Sequence, residues 1–269
     1  MGFGHSRQRV VVEVTALVGG ALLLGWLAWI GIRAMAVAAV ERAPYSYDQK
    51  LGGMVAGQVE TASTLCTNPA LVEAVRSVAA LLEPGLPAEA RSVNLRVIED
   101  ESENAFALPG GHVFVHTGLL AKLESPDELA GVLGHEMGHA VLRHGTKGIA
   151  QSLGLGLAVS IVFGGLDAGT AALAAVAGDL GQLAYGRDAE READDFGARL
   201  LLDVGLDPSA LGRFLGRMAA HPVPKWLSTH PEPGERETRL RDRFGGERPR
   251  TEPPSLPTLE VLKAPCVAK

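Results

Sequence analysis

Apolar positions run almost unbroken from Val10 to Ile32 (VVVEVTALVGGALLLGWLAWIGI), with Glu13 the only charge. A helix of roughly twenty residues crosses a bilayer core. Arg7 and Arg9 precede the run, and Trp26 and Trp29 lie towards its far end, where an aromatic belt places such rings. The pattern predicts an uncleaved membrane helix over 10–32, with a short tail at 1–9 and a linker at 33–47. Ala34-Met35-Ala36 offers a small-residue cleavage site, so a signal peptide is the rival reading. The apolar run is longer than the usual signal core.

After Pro44 the pattern is that of globular sequence. Asp48 to Leu65 reads as a helix, and Asn68-Pro69 opens another through Leu82. Pro84-Gly85-Leu86-Pro87 is a turn, and Val93, Leu95 and Val97 alternate with polar neighbours as in a half-buried strand. Residues 104–115 (NAFALPGGHVFV) form two extended pieces hinged on Pro109-Gly110-Gly111. Ser125-Pro126-Asp127-Glu128 starts a helix with a serine cap, proline at its first position and acids in its first turn. Residues 149–183 are rich in Gly, Ala, Leu and Val, with Asp167 in the middle. They form a second membrane span or, the favoured reading, a buried or interfacial helical hairpin. Asp188 to Leu202 is a strongly amphipathic helix, and Asp207-Pro208 starts another. From Gly245 the chain turns proline-rich (ERPRTEPPSLPT) and reads as a poorly ordered tail, 245–269. The fold class is α+β, predominantly helical, with the domain proper at 48–244.

Composition adds little beyond this. A formal net charge of −6 over 269 residues, with no long basic run, argues against nucleic acid as a partner. Mean hydropathy is +0.14 while aromatics are only 5 %, as Ala/Leu/Val/Gly-rich helices and a membrane segment require. Cys66 and Cys266 are the two cysteines. Neither lies in a CxxC, so a zinc ribbon and a thioredoxin-type site are excluded. They form one disulfide in an oxidising compartment or are two unrelated thiols. The lysine/arginine bias across the apolar run is slight. The short N-terminal tail and the cysteines favour a domain outside the cytoplasm.

The chemistry concentrates in residues 134–145, GHEMGHAVLRHG. On a helix His135 and His139 share a face and can offer imidazole nitrogens to one ion. Glu136 stands about a third of a turn round, where a carboxylate reaches a water beside the metal rather than the metal itself. Gly134 and Gly138 flatten the surface beside the histidines and admit a strand or a substrate. A catalytic zinc site needs a third protein ligand. His144 points away from the shared face, and position 145 is Gly, so the metzincin spacing fails. Within Arg187-Asp188-Ala189-Glu190-Arg191-Glu192-Ala193-Asp194, Glu190 and Asp194 share a face and Glu192 points to the opposite side. One of the pair ligates zinc while the other accepts a hydrogen bond from a ligating histidine. The alternative for this stretch is a solvated charged face.

HEMGH, preceded by NAFALPGG and SPDELAGVLGHE and followed by RDAEREADDFG and STHPEPGER, resembles the M48 (Ste24/HtpX-type) zinc metallopeptidases over roughly Asp48 to Phe244. The resemblance implies a gluzincin-like domain with a small sheet beside the HExxH helix and one Zn2+ per chain. It assigns the ligands to His135, His139 and Glu190, an outer hydrogen bond to Asp194, and the general base to Glu136. The NAF…PGG segment becomes an edge strand where a peptide substrate adds, with Asn104, Ala105, Phe106, Gly110 and Gly111 as substrate-side residues. Thr229-His230-Pro231 with Arg236 matches the family's late THP…R element. His230 is then a donor to the oxyanion or a latching ligand, and Arg236 joins the substrate-side set. His144 has no role beyond a helix-end or outer contact, and His5, His112, His116 and His221 have none.

Ste24- and HtpX-type members span the membrane several times, whereas this chain offers one clear span. That layout is closer to single-anchored or periplasmic bacterial members linked to envelope protein quality control, and it argues against a prenyl-protein substrate. The expectation is a single-pass zinc metalloendopeptidase facing the periplasm and cleaving unfolded or misassembled proteins. Its rival is a non-catalytic zinc-binding module that holds clients or organises a membrane complex. Oligomeric state is not legible.

Overall fold

The computed structural model describes residues 3–151, 185–219, 230, 232–247, 249 and 251–266. Apart from 149–151, the 149–183 segment lies outside them, as do His221, Thr229 and Pro231. The chain divides into two compact units, Met1–Ala43 with Ile149–Gly169 and Pro44–Gly148 with Thr170–Lys269.

The first unit holds α1 (Phe3–Arg42), whose portion from Arg9 to Arg42 is long and apolar enough to cross a membrane. Val12, Leu17, Leu24 and Trp26 are all exposed along it. The helix continues past Ile32, through the stretch expected as linker. Residues 33–42 (RAMAVAAVER) are strong helix formers, and the first breaker is Pro44.

The second unit is α+β and mostly helical. Its elements are α2 (Ser46–Ala62), α3 (Pro69–Leu82), β1 (Asn94–Ile98), β2 (Ala105–Leu108), β3 (His112–His116) and α4 (Thr117–Lys122), followed by α5 (Pro126–Val141), α6 (Arg187–Asp203), α7 (Ala210–Ala219), α8 (Pro233–Phe244) and α9 (Leu259–Leu262). The α3 start is as predicted. Asn68 accepts hydrogen bonds from the N–H groups of Ala70 and Leu71 at 3.1 and 3.4 Å, ahead of proline at the first position. The sheet order is β1-β3-β2, with β1 parallel and β2 antiparallel to β3. The β2–β3 turn passes through Gly110 and Gly111 at φ 75° and 85°, a region open to glycine at little cost. β2 is the terminal strand and packs beside α5.

Two expectations are corrected here. Ser125 has extended cap geometry, but its hydroxyl makes no cap bond. Glu128 in the first turn instead accepts from the Glu124 N–H at 2.8 Å, ahead of the helix, and Arg217 forks onto both its oxygens at 2.7 and 2.6 Å. The proline-rich C-terminal stretch is not loose either. It contains α9, and Leu262 and Cys266 are buried in the main core. Cys266 is disulfide-bonded to Cys66, with Cα atoms 4.9 Å apart, and Asn68 Nδ2 donates to the Pro265 carbonyl at 2.7 Å.

The packing of α5 on α6 positions everything that follows. Gly134 and Gly138 admit neither a strand nor a substrate, because α6 occupies that surface. A Cβ at Gly134 would stand 3.1 Å from Gly197 Cα, and one at Gly138 would stand 3.0 Å from the Ala193 carbonyl oxygen. From the other side, a Cβ at Gly197 would lie 2.8 Å from the His135 nitrogen. Backbones this close bring the short side chains of α6 within reach of the α5 histidines. Gly197→Val therefore costs about 1–3 kcal/mol of stability through overpacking and lowers metal content, as chemical denaturation and metal analysis will read. Unchanged stability and metal content would show that the helices tolerate separation.

Candidate active site

Helix geometry sets His135 and His139 one turn apart on the α5 face that meets α6, and both are essentially fully buried. Glu190 comes from the first turn of α6, where the helix dipole favours a carboxylate. Glu190 Oε2 lies 3.6 Å from His135 Nε2, and Oε1 lies 3.5 Å from His139 Nε2. The two imidazole nitrogens are 3.0 Å apart. His230 arrives from beyond α7 with Nδ1 3.1 Å from both His135 Nε2 and Glu190 Oε1. The donor atoms of His135, His139, Glu190 and His230 all fall within 4.8 Å of one another, a cluster that could hold a metal ion.

The outer atoms explain why the inner ones point inward. His135 Nδ1 is 3.0 Å from Asp194 Oδ1, one turn along α6 from Glu190. Arg236, from α8, lies buried with Nη2 2.6 Å from Asp194 Oδ1 and Nη1 2.8 Å from Glu190 Oε2. Burial pushes the Asp194 carboxyl up, but the Arg236 guanidinium and His135 outweigh it and hold Asp194 well below the usual carboxylate range. Burial likewise pushes Glu190 up, and the charge of His230 with hydrogen bonds from His139 and His230 drives it well below that range. Burial, and then His135, pushes the His139 imidazole well down, so it is neutral near pH 7. Arg236, expected on the substrate side, is thus engaged inside the cluster.

His144 is where helical extrapolation fails. α5 stops at Val141, and Arg143 takes φ 60°, which folds the chain back. Asp48 of α2 receives Arg143 Nη2 at 2.5 Å and the Thr146 hydroxyl, holding the turn. His144 Nδ1 consequently sits 2.9 Å from His139 Nδ1, and its Nε2 sits 3.2 Å from Glu192 Oε2. Burial pushes the His144 imidazole down, with Glu192 offsetting part of the effect. Tyr185 stacks on the His139 ring with centroids 4.1 Å apart, and burial pushes its phenol up, keeping it protonated. The sequence allows His144 an outer contact and gives Tyr185 no role.

Glu136 is buried, with Oε1 3.5 Å from His230 Nε2. Asn104, Ala105 and Phe106 lie at the start of β2. Asn104 is buried with no partner for Oδ1 among the described residues, and Phe106 is part-exposed and stacked on Phe114 at 5.1 Å. His112 and His116 lie in β3, away from the cluster, and His116 Nδ1 pairs with the Ser102 hydroxyl at 2.7 Å.

The donor set fits a cation. With their Nδ1 atoms donating outward, His135 and His139 present bare Nε2 lone pairs to each other, and a positive ion between them relieves that repulsion. Imidazole nitrogens with one carboxylate are the ligands of the catalytic zinc sites in which two histidines and a glutamate leave one position open. Fold and site together define a helical metallopeptidase-type centre.

Residues 67–244 match the profile of Peptidase family M48, well over half of the chain. This chain belongs to that family. It is 33 % identical over 155 residues to the mitochondrial metalloendopeptidase OMA1 of Arabidopsis thaliana, covering 56 % of this chain and 31 % of that protein. It is 34 % identical over 161 residues to OMA1 of Schizosaccharomyces pombe, covering 55 % and 45 %. To the beta-barrel assembly-enhancing protease of Escherichia coli K12 it is 27 % identical over 219 residues, covering 75 % and 45 %. The chain thus spans less than half the length of each of these relatives.

Proposed function

We propose that this chain is a membrane-anchored zinc metalloendopeptidase that hydrolyses peptide bonds in unfolded or misassembled proteins, in envelope protein quality control. The observation that carries the reading is the convergence of His135, His139 and Glu190 on one point with Glu136 beside them. These three residues would hold one zinc ion. When bound, zinc polarises the scissile carbonyl and acidifies water enough for attack near neutral pH. Glu136 takes the proton of the attacking water and passes it to the leaving amine. With its Nδ1 among the ligand atoms, His230 acts as a latch over the position a substrate must occupy. Once withdrawn, its ring is placed to donate to the oxyanion.

A peptide adds as an antiparallel or parallel strand to the outer edge of β2. The terminal position of β2 in the sheet supports this, since its outer edge carries no strand among the described residues. α1 supports single-pass anchoring. The disulfide supports a catalytic domain on the periplasmic side, since such bonds persist in oxidising compartments.

The test uses the full chain in detergent, with zinc content and cleavage of casein as readouts. About one zinc per chain, with cleavage that a chelator stops and added zinc restores, is the expected result. Bound zinc without cleavage favours the non-catalytic client-holding module. The ligand choice is tested by pairing Glu190→Gln with Glu192→Gln. The first loses zinc and the second keeps it, because an amide oxygen at 192 still accepts a hydrogen bond. Zinc loss only at 192 would place the ligand on the other face of α6.

A further inference from the structure

His135 and His139 both turn their outer nitrogen to a partner, but the partners differ in kind. His135 meets a carboxylate directly, through Asp194. His139 meets a second imidazole, His144, which in turn meets Glu192. The chemistry orders the protons along this chain. A carboxylate only accepts, so His144 donates its Nε2–H to Glu192. A neutral imidazole then presents a bare Nδ1, which accepts the Nδ1–H of His139. That leaves His139 Nε2 bare, and this is the atom 3.0 Å from His135 Nε2 and 3.5 Å from Glu190 Oε1.

We propose that His144 and Glu192 are positioning residues for the metal centre, acting through His139 to fix its tautomer and ring orientation. Three features make the arrangement a built one. The reversed turn at Arg143, clamped by Asp48, delivers His144 to a place the helix could not reach. Tyr185 lies flat on the His139 ring, with 20° between the planes, and blocks rotation to one side. Glu190 and Glu192 come from the same turn of α6, so one helix supplies a metal-facing carboxylate and the outer end of the relay. Hydrogen-bond partners of this kind orient the ligating imidazole and raise its basicity.

The proposal rests on reading the cluster as a zinc site, and the experiment separates the two. Zinc affinity of the full chain is measured by competition with a chromophoric chelator for wild type, His144→Leu, His144→Asn and Glu192→Leu. Thermal melting of the metal-free proteins serves as the folding control. His144→Leu weakens zinc by roughly 10–100-fold. His144→Asn recovers most of that loss, because Asn Oδ1 replaces Nδ1 as the acceptor for His139. Glu192→Leu falls between wild type and His144→Leu, and its side chain is 61 % exposed, so folding is not at stake. A folded His144→Leu that binds zinc like wild type overturns the proposal, as does an Asn variant no better than Leu. If His144→Leu does not fold, Glu192→Leu decides, and wild-type affinity there overturns the relay. Absence of zinc binding in the wild type sinks the site reading itself.

Discussion

Glu136→Gln retains its zinc and loses casein cleavage by at least about a hundredfold, within the range of general acid–base catalysis. Three facts set this expectation. Glu136 follows His135 directly on α5, so its side chain leaves the helix beside the metal-facing nitrogens rather than among them. It is 1 % exposed, so bulk water cannot replace it as a base. The donor cluster closes without it, from His135, His139, Glu190 and His230. Glutamine keeps the size and the hydrogen bonds but accepts no proton. Zinc loss in this variant would make Glu136 a ligand instead of a base. Undiminished cleavage would move the chemistry elsewhere.

Removing the Arg236 charge is the largest expected effect on stability. Arg236→Leu destabilises the metal-free protein by about 3–5 kcal/mol near pH 7, the usual cost of orphaning a buried ion. Asp194 is fully buried, and Arg236 Nη2 and Nε approach its two oxygens at 2.6 and 3.0 Å. Arg239 also reaches Asp194, at 3.2 Å, but is 21 % exposed, so Arg239→Leu costs about 1 kcal/mol or less. The pH dependence has a definite sign. In the wild type the Asp194 carboxyl is held below its ordinary value of 3.8. Its stabilisation is therefore present above about pH 4 and is lost only as pH falls through the lower folded value. Without Arg236, burial pushes the Asp194 carboxyl back up against His135 and Arg239, and protonation relieves part of the penalty. The deficit of Arg236→Leu accordingly shrinks below about pH 5. Denaturant titrations in chelator at several pH values read both effects. A deficit below about 1 kcal/mol at pH 7 would show that the carboxylates find other partners.

Much of the fold was legible because its signals are local. The Asn68-Pro69 cap, the glycine hinge at Gly110-Gly111, the alternation at Val93, Leu95 and Val97, and the apolar run of α1 act within a few residues of themselves. The α5 and α6 faces follow from helical spacing, which pairs His135 with His139 and Glu190 with Asp194, and the resemblance to the M48 family then singles out Glu190. Where the expectation failed, the deciding partner lay far along the chain. The start of α5 is held by Arg217 on Glu128, while the Ser125 hydroxyl makes no cap bond. The C-terminal stretch is ordered by Cys66 and the core rather than by its own composition. Gly134 and Gly138 read as an opening, and only the packing shows that α6 fills it.

By itself, then, the sequence determined which residue types stand on which helical face, and with them the candidate donors. Tertiary structure alone decided how the faces meet. Glycine-to-glycine contact sets the α5–α6 separation, Arg236 makes two buried carboxylates tolerable, and the left-handed turn at Arg143 carries His144 back to His139. Periodicity describes the surface of one helix, whereas these contacts depend on backbone reversal and long-range charge pairing, which periodicity does not encode.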